Sequence, residues 1–366
     1  MPPFYATFFA YRLKIFAPEI KALVKKKSKF SLNQEAKRPQ SINIKRIDCF
    51  SRSRKRGRLV MLWIIYVVFV LAVLFLVMPL VLSYIFLCVG FPRAKDKETP
   101  ENYGLSYRNF SVVTSDGVNI KGWFIPGSSK ATIIVVYGGI RRTKGLKEVT
   151  PGGELSVSML PLARFLHEGG YNVILYDRRL TGESGRGLLT RSAEDVYAIV
   201  QYIKSQSLDM NKIGLLGHCA GGWISIMAAG GKPGLFRAVV ADAPIPNLKE
   251  GGRWFQAASH LPAFPFYNLF LLMGRIWVRD IKSVDEVSSN QYVSRISPSA
   301  FFLIVEARDQ FFPSSSFERL YDLAGEPKQI WKDIDAAHTE AHARFPEEYK
   351  RRVLSFYDTY LQDSKS

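Results

Sequence analysis

The longest hydrophobic segment of the chain covers residues 59–92, where 34 consecutive positions carry no charged side chain. A helix needs about 20 such residues to cross the hydrocarbon core of a bilayer. The segment has no polar face, which a helix at a protein surface would have. It is also too long, and too far from Met1, for a signal peptide. We therefore predict a transmembrane region at 59–90, with the span itself at about 60–82.

After a linker at 91–104, short apolar runs alternate with amphipathic stretches. Segments 107–114 and 118–125 flank Asp116-Gly117 and predict a β-hairpin. Apolar runs predict further strands at 132–137, 172–176, 212–216, 237–241, 301–305 and 329–334. Because helical patterns separate these strands, we predict one α/β domain at 105–362. Its sheet should be eight-stranded, mostly parallel and covered by helices on both faces.

One segment interrupts this alternation. Residues 244–298 show no strand pattern but are rich in Trp, Phe, Tyr and Leu. We expect this insertion to form a helical cap over the carboxyl edge of the sheet, where open α/β folds bind their ligands.

The net charge of +18 would be typical of a nucleic-acid-binding protein if it lay on the folded domain. However, residues 1–58 hold 16 Lys and Arg against 3 Asp and Glu, a net of +13, which leaves +5 for the remaining chain. We therefore predict no nucleic-acid partner. We interpret 1–58 as a basic, disordered segment; a polybasic arm that binds a membrane surface is the alternative.

Basic residues at 52–58 precede the predicted span and outnumber those that follow it. This asymmetry favours a cytoplasmic N-terminus and a domain on the outer side of the membrane. Met61 opens the apolar run, and a chain that started there would lose this cluster and favour the opposite orientation. The three cysteines, at 49, 88 and 219, offer no disulfide framework.

The first candidate catalytic motif is Gly217-His218-Cys219-Ala220-Gly221-Gly222, which follows the strand at 212–216 and precedes a helix. A strand, a tight glycine turn and a helix are what a nucleophile elbow requires, with Cys219 in the central position. A helix N-terminus and a nearby imidazolium favour the reactive thiolate. A small cysteine buried in a glycine turn is the structural alternative.

The partners of such a nucleophile follow it in the order acid, then histidine. His338 comes after the last predicted strand and is the best candidate base, whereas we expect His342, one turn later, to be solvated. We also expect the side chain of His218 to point away from the nucleophile. Asp309 follows the preceding strand and is the candidate acid; Glu306 and then Asp242 are the alternatives.

Two backbone N–H groups should stabilise the oxyanion that forms when a carbonyl is attacked. One should come from Ala220, directly after the nucleophile. The other should come from the loop after the strand at 132–137, where we select Gly139 because glycine allows close backbone approach.

Together, YGG at 137–139, DRRLTGES at 177–184, GHCAGG, ARDQFFP at 307–313 and AHTEAH resemble the α/β-hydrolase family. Tyr137 stands where that family often has histidine, and the cysteine elbow is similar to those of dienelactone hydrolases and polyhydroxyalkanoate synthases. The resemblance implies an α/β-hydrolase fold with a Cys219-His338-Asp309 triad.

We therefore predict a membrane-anchored hydrolase that acts on an ester, thioester or lactone and on a small or lipid-like acyl substrate. It should need no metal and no other cofactor. An acyltransferase with the same acyl-cysteine, or an inactive binding protein of this fold, is the alternative. The sequence leaves the oligomeric state open.

Overall fold

The computed structural model describes residues 42–129, 131–139, 143–149, 153–279 and 281–362. Most of the predicted basic segment, residues 1–41, lies outside these ranges. The chain divides into two compact units, Met1–Leu71 and Ala72–Ser366.

The first helix, α1, runs from Ile42 to Tyr84 and continues into one π-helical turn, Ile85–Val89. Its stretch Arg54–Val89 contains an 18-residue window with a mean hydropathy of 3.1 and, among the described residues, is the one helix long and apolar enough to cross a membrane. Residues 42–58 are helical where we expected disorder. Extending a helix that is already formed costs little, and Lys and Arg are good helix formers.

Ten strands follow, and eight of them form the main sheet. Their bounds are β1 Arg108–Val113, β2 Asn119–Ile125, β3 Thr132–Val136, β4 Glu148–Val149, β5 Ser156–Val157, β6 Asn172–Tyr176, β7 Ile213–His218, β8 Ala238–Asp242, β9 Ala300–Arg308 and β10 Lys328–Ala337. The order across the sheet is β1-β2-β6-β3-β7-β8-β9-β10, and β4 pairs separately with β5. Strands β1 and β2 form the predicted hairpin, β2 pairs antiparallel with β6, and all later neighbours pair in parallel.

The remaining helices are α2 Leu160–Glu168, α3 Ala193–Ser205, α4 Ala220–Gly231, α5 Gly252–Ser259, α6 Ala263–Trp277, α7 Ser289–Tyr292, α8 Ser314–Leu323, α9 Ala341–Arg344 and α10 Pro346–Leu361. Short 3₁₀ turns occur at Pro100–Tyr103, Leu189–Arg191, Leu248–Glu250, Val284–Val287 and Val293–Arg295. Every residue of the central strands β3, β6, β7 and β8 is buried, because apolar clusters cover both faces of the sheet.

This architecture confirms the predicted α/β class and the eight-stranded, mostly parallel sheet. The described part of the insertion at 244–298 is helical, with α5, α6 and α7 as its main elements. Strands β7, β8, β9 and β10 end at a common edge of the sheet, so the loops that follow them bring distant parts of the chain together.

Candidate active site

Cys219 lies in the sharp turn between β7 and α4. Its backbone has φ +52° and ψ −118°, a conformation that costs energy for a residue with a side chain and that is held here by its neighbours. The Cys219 amide donates to the carbonyl of Asp242 at 2.9 Å. A Cβ at Gly221 would lie 1.8 Å from the carbonyl oxygen of Val136, so only glycine fits there.

His338 and Asp309 meet at the same edge of the sheet. Asp309 follows β9 and His338 follows β10, and the imidazole Nδ1 lies 2.6 Å from the Asp309 Oδ2. The other carboxylate oxygen, Oδ1, accepts the backbone amides of Phe311 at 2.8 Å and Phe312 at 2.9 Å. Both side chains are buried. Asp309 is therefore fixed by its own loop, and in turn it orients His338.

The charge environment of His338 favours the protonated ring. Burial alone would lower the pKa of the imidazole, but the charges of Asp309 and Cys219 outweigh it, so the pKa of His338 is raised well above its ordinary value. The ring Nε2 is buried and has no nitrogen or oxygen partner among the described residues. His338 can therefore accept a proton from the Cys219 thiol and hold it as an ion pair.

The two predicted oxyanion donors lie at this site. Gly139 and Ala220 line the same cavity as Cys219. Gly139 has φ +83°, and its carbonyl accepts a hydrogen bond from Arg178 Nη2. A Cβ at Gly138 would stand 2.6 Å from the Cβ of Cys219, so the glycine loop lies directly against the elbow.

Tyr137, at the position where histidine is frequent in similar sequences, directly precedes the glycine loop and anchors it through its side chain. Its ring is buried, and its hydroxyl lies 2.8 Å from Thr181 Oγ1 and 3.2 Å from Asp177 Oδ1. The DRRLTGES segment therefore supports the loop that carries Gly139.

Lys144 contacts the same carboxylate, Asp177, and so also stabilises the glycine loop. Its ammonium is buried and lies 2.9 Å from Asp177, 2.7 Å from Asp96 and 3.2 Å from Glu183. Burial would lower the pKa of Lys144, but the surrounding carboxylates raise it. Because Asp96 belongs to the linker after α1, this cluster ties the linker to the loop below Gly139. No local pattern indicates this cluster, since its members are far apart in the chain.

The alternative acids lie in a second buried cluster behind the elbow. Asp242 Oδ2 is 3.1 Å from the Nδ1 of His218 and accepts the hydroxyl of Tyr349 at 2.9 Å. His342 lies against the same groups and is buried, so the prediction that it is solvated was wrong. His342 lies on α9, which packs against α10, and its ring lies against those of His218 and Tyr349. Helical spacing alone could not indicate this packing. Asp242 therefore pairs with His218 and not with His338.

Glu306, the other alternative, is buried beside Asp242. Burial, and then the Asp242 charge, raise the pKa of Glu306 well above its ordinary value. Burial would raise the pKa of Asp242, but the charge of His218 and the hydrogen bonds with His218 and Glu306 together lower it. Glu306 Oε2 and Asp242 Oδ1 each lack a donor among the described residues. Glu306 and Asp242 therefore belong to the buried cluster behind the elbow, whereas the carboxylate in contact with the His338 ring is that of Asp309.

Two groups of side chains in the described part of the chain have the spacing of metal ligands. His218, Asp242 and His342 form one, and Asp96, Asp177 and Glu183 form the other. Lys144 already provides the cation in the second group. The first group is held together by ion pairing and by Tyr349. That the protein needs no metal remains a prediction.

The cavity above Cys219 has a volume of about 140 Å³ and is enclosed largely by the cap. Trp254, Tyr267 and Phe270 from α5 and α6 line it together with Phe312. Phe86 and Leu87, from the π-helical turn after α1, also reach it. We did not predict these two, although the uncharged run does continue well past residue 82.

A scan of protein-family models matches residues 151–355, more than half of the chain, to the alpha/beta hydrolase family. The chain belongs to this family. The fold is that of its members, as the motifs predicted.

Similar proteins support the same assignment. The uncharacterized proteins YfhR of Escherichia coli K12 and YqkD of Bacillus subtilis are each 25% identical, over 264 and 268 residues. These matches cover 69% and 70% of this chain and 80% of each relative. Among solved structures, a Pyrococcus furiosus esterase is similar with a TM-score of 0.59 and 26% identity, covering 75% of this chain and 98% of the esterase. Family and neighbours together indicate a hydrolase.

Proposed function

We propose that this protein is a membrane-anchored hydrolase that cleaves ester, thioester or lactone bonds through an acyl-Cys219 intermediate. One observation carries the proposal. Cys219 has a strained backbone and lines one apolar cavity with Gly139 and Ala220, and its charge acts on the buried His338 that pairs with Asp309. An esterase among the similar structures supports the same reaction class.

In this mechanism His338 takes the thiol proton of Cys219, and the sulfur attacks the substrate carbonyl carbon. The Gly139 and Ala220 amides stabilise the negative oxygen of the tetrahedral intermediate. When the intermediate collapses, the bond to the leaving group breaks and the His338 proton passes to that group. His338 then removes a proton from water, which attacks the thioester, releases the acid and restores the thiol.

Asp309 makes this exchange possible without changing its own protonation. It keeps the Nδ1 proton of His338 in place and stabilises the imidazolium after each transfer. Because its Oδ1 is occupied by two backbone amides, Asp309 cannot turn away from the ring.

The decisive experiment compares p-nitrophenyl esters and acyl-thioesters of short and long acyl chains with wild type, Cys219→Ala and the matched control Cys88→Ala. Cys88, like Cys219, forms no disulfide in the described part of the chain, but it does not line the cavity. We expect Cys219→Ala to lose turnover of every substrate, whereas Cys88→Ala keeps it. Equal activity of the wild type and Cys219→Ala would refute the proposal.

An acyltransferase would use the same intermediate. Addition of an alcohol or amine acceptor separates the two reactions, because a transferase would form the new ester or amide faster than free acid. Free acid as the main product at all acceptor concentrations supports the hydrolase.

The segment 59–90 anchors the enzyme, since its helix is long and apolar enough to span a bilayer. With Met1 as the start, the proposal places the catalytic domain on the outer side. Protease added to intact cells should then cleave the domain, and protection of the domain would reverse the orientation.

A further inference from the structure

The two cap helices α5 and α6 form a hairpin that has cations only at its ends. Residues 254–274 contain no Asp, Glu, Lys or Arg, whereas Arg253 precedes them and Arg275 follows them. An uncharged stretch of this length, with basic residues at both ends, is typical of segments in contact with lipid. It is unusual for a surface helical hairpin exposed to water.

The outer face of α6 carries large apolar side chains that nothing in the described protein covers. Phe264 is 77% exposed, Leu272 54% and Ile276 50%. Asn268, Leu272 and Ile276 repeat every four residues along the helix and form one ridge, and Phe264 lies just before it, where the backbone is extended. Exposed apolar groups gathered on one face mark an interaction surface rather than ordinary scatter.

The neighbours of α6 indicate what covers this ridge. Phe266 packs on Phe75 with ring centroids 4.8 Å apart, and Trp277 packs on Tyr84 at 4.7 Å. Helix α6 therefore runs beside the last part of α1, over nine residues or about 13 Å of rise. Phe75 belongs to the segment proposed to cross the bilayer, so the start of α6 lies at the same depth.

The apolar surface of α1 continues that of α6. Leu74, Leu76 and Val81 are each about half exposed, at 57%, 53% and 47%. The surrounding lipid that covers these side chains would also cover Phe264 and Leu272. Arg275 and Arg279 are exposed near the Tyr84 end, where they can reach phospholipid headgroups.

We propose that the α5–α6 hairpin, residues 252–277, inserts into the upper acyl-chain region of the bilayer and opens the active-site cavity to membrane lipid. This inference rests on the membrane-anchored hydrolase proposed above and names its substrate class, a long-chain acyl ester resident in the membrane.

The cavity walls fit this route. Trp254 and Phe270 from the hairpin meet Phe86 from the π-helical turn, with ring centroids 5.5 Å apart in both contacts. These three rings line the cavity that also contains Cys219. An acyl chain that passes between the hairpin and the π-helical turn would reach the thiol without crossing water.

The test of insertion does not depend on activity. The full chain, with Cys49→Ser, Cys88→Ser and Cys219→Ala, is labelled with the NBD fluorophore at Leu272→Cys and reconstituted into phosphatidylcholine vesicles. Val113→Cys on β1 is the control site, because Val113 is also an exposed apolar residue, at 67%. We expect spin-labelled lipids to quench the probe at 272 and aqueous iodide to quench the probe at 113.

Two outcomes overturn insertion. Iodide quenching at 272 equal to that at 113 would show that the ridge faces water. Protection at 272 from both iodide and spin-labelled lipid would show that a protein surface, such as a second copy of this chain, covers the ridge.

Activity then tests the route. Leu272→Glu should slow hydrolysis of a long-chain ester in vesicles about tenfold, because a charge is costly at that depth. It should leave a soluble short-chain ester unaffected, and Val113→Glu should affect neither substrate. Equal rates of Leu272→Glu and wild type on the vesicle substrate would refute lateral entry. If the wild type hydrolyses neither ester, the proposed function fails, while the quenching result still decides whether the hairpin inserts.

Discussion

Asp309→Asn tests the roles of the triad residues with the smallest change in shape. The carboxylate now makes three contacts, two from Oδ1 to the backbone amides of Phe311 and Phe312 and one from Oδ2 to His338. An asparagine must leave its only oxygen on the two amides, which can only donate. Its NH₂ group then faces Nδ1 of His338, so the imidazole proton moves to Nε2. The ring can no longer accept the thiol proton, and the charge that stabilised the imidazolium is gone.

Loss of the correct tautomer and of the charge together should lower kcat by about 10³–10⁴-fold, or about 4–5.5 kcal/mol. The assay is hydrolysis of a p-nitrophenyl ester, with circular dichroism to confirm folding. Asp335→Asn is the matched control, because Asp335 is 79% exposed and pairs with Arg308 at the surface. It should change kcat by less than about twofold. A folded Asp309→Asn enzyme that kept more than about a tenth of wild-type kcat would refute the assigned role.

Three further substitutions test the surroundings of the triad. Gly138→Ala places a methyl group 2.6 Å from the Cys219 Cβ and should lower kcat about 10²-fold on the same ester; an unchanged kcat would contradict the position of the loop. Lys144→Met leaves a buried carboxylate unpaired and should lower the free energy of unfolding by about 3–5 kcal/mol in urea titrations, whereas a loss below about 1 kcal/mol would contradict its buried pairing. Glu306 has a raised pKa when folded, so wild type loses stability as the pH rises above the unfolded value of about 4.3. Glu306→Gln keeps a donor to Asp242 but has no carboxyl proton to lose, so its free energy of unfolding should rise relative to that of wild type between about pH 4 and pH 7. A difference in free energy of unfolding that stays constant over this pH range would show that Glu306 is ionised in the fold.

The strands were predictable because each has a strong local pattern. Thr132–Val136 and Asn172–Tyr176 are short runs buried at every position, as expected between two helical layers. The antiparallel hairpin at the sheet edge has a turn signal of its own. The order of the strands across the sheet was not predicted, because the pattern within a strand does not identify its neighbours.

The candidate site was predictable for the same reason. Cys219, Asp309 and His338 each follow a strand directly, and parallel strands bring such positions together. His342 was misjudged because its environment depends on Asp242 and Tyr349, which lie far from it in sequence. The contribution of the π-helical turn to the cavity wall was also missed, since a hydrophobic run does not show which of its residues pack on the folded domain.

The central claim is that Cys219 carries the acyl group. The most direct measurement is a rapid quench in acid after mixing the enzyme with a p-nitrophenyl ester, followed by intact mass and peptide mapping. We expect a burst of about one p-nitrophenol per site and one acyl group on the peptide that contains Cys219, both absent from Cys219→Ala. Turnover with the acyl group on another residue, or with none on the enzyme at any time of quenching, would contradict it.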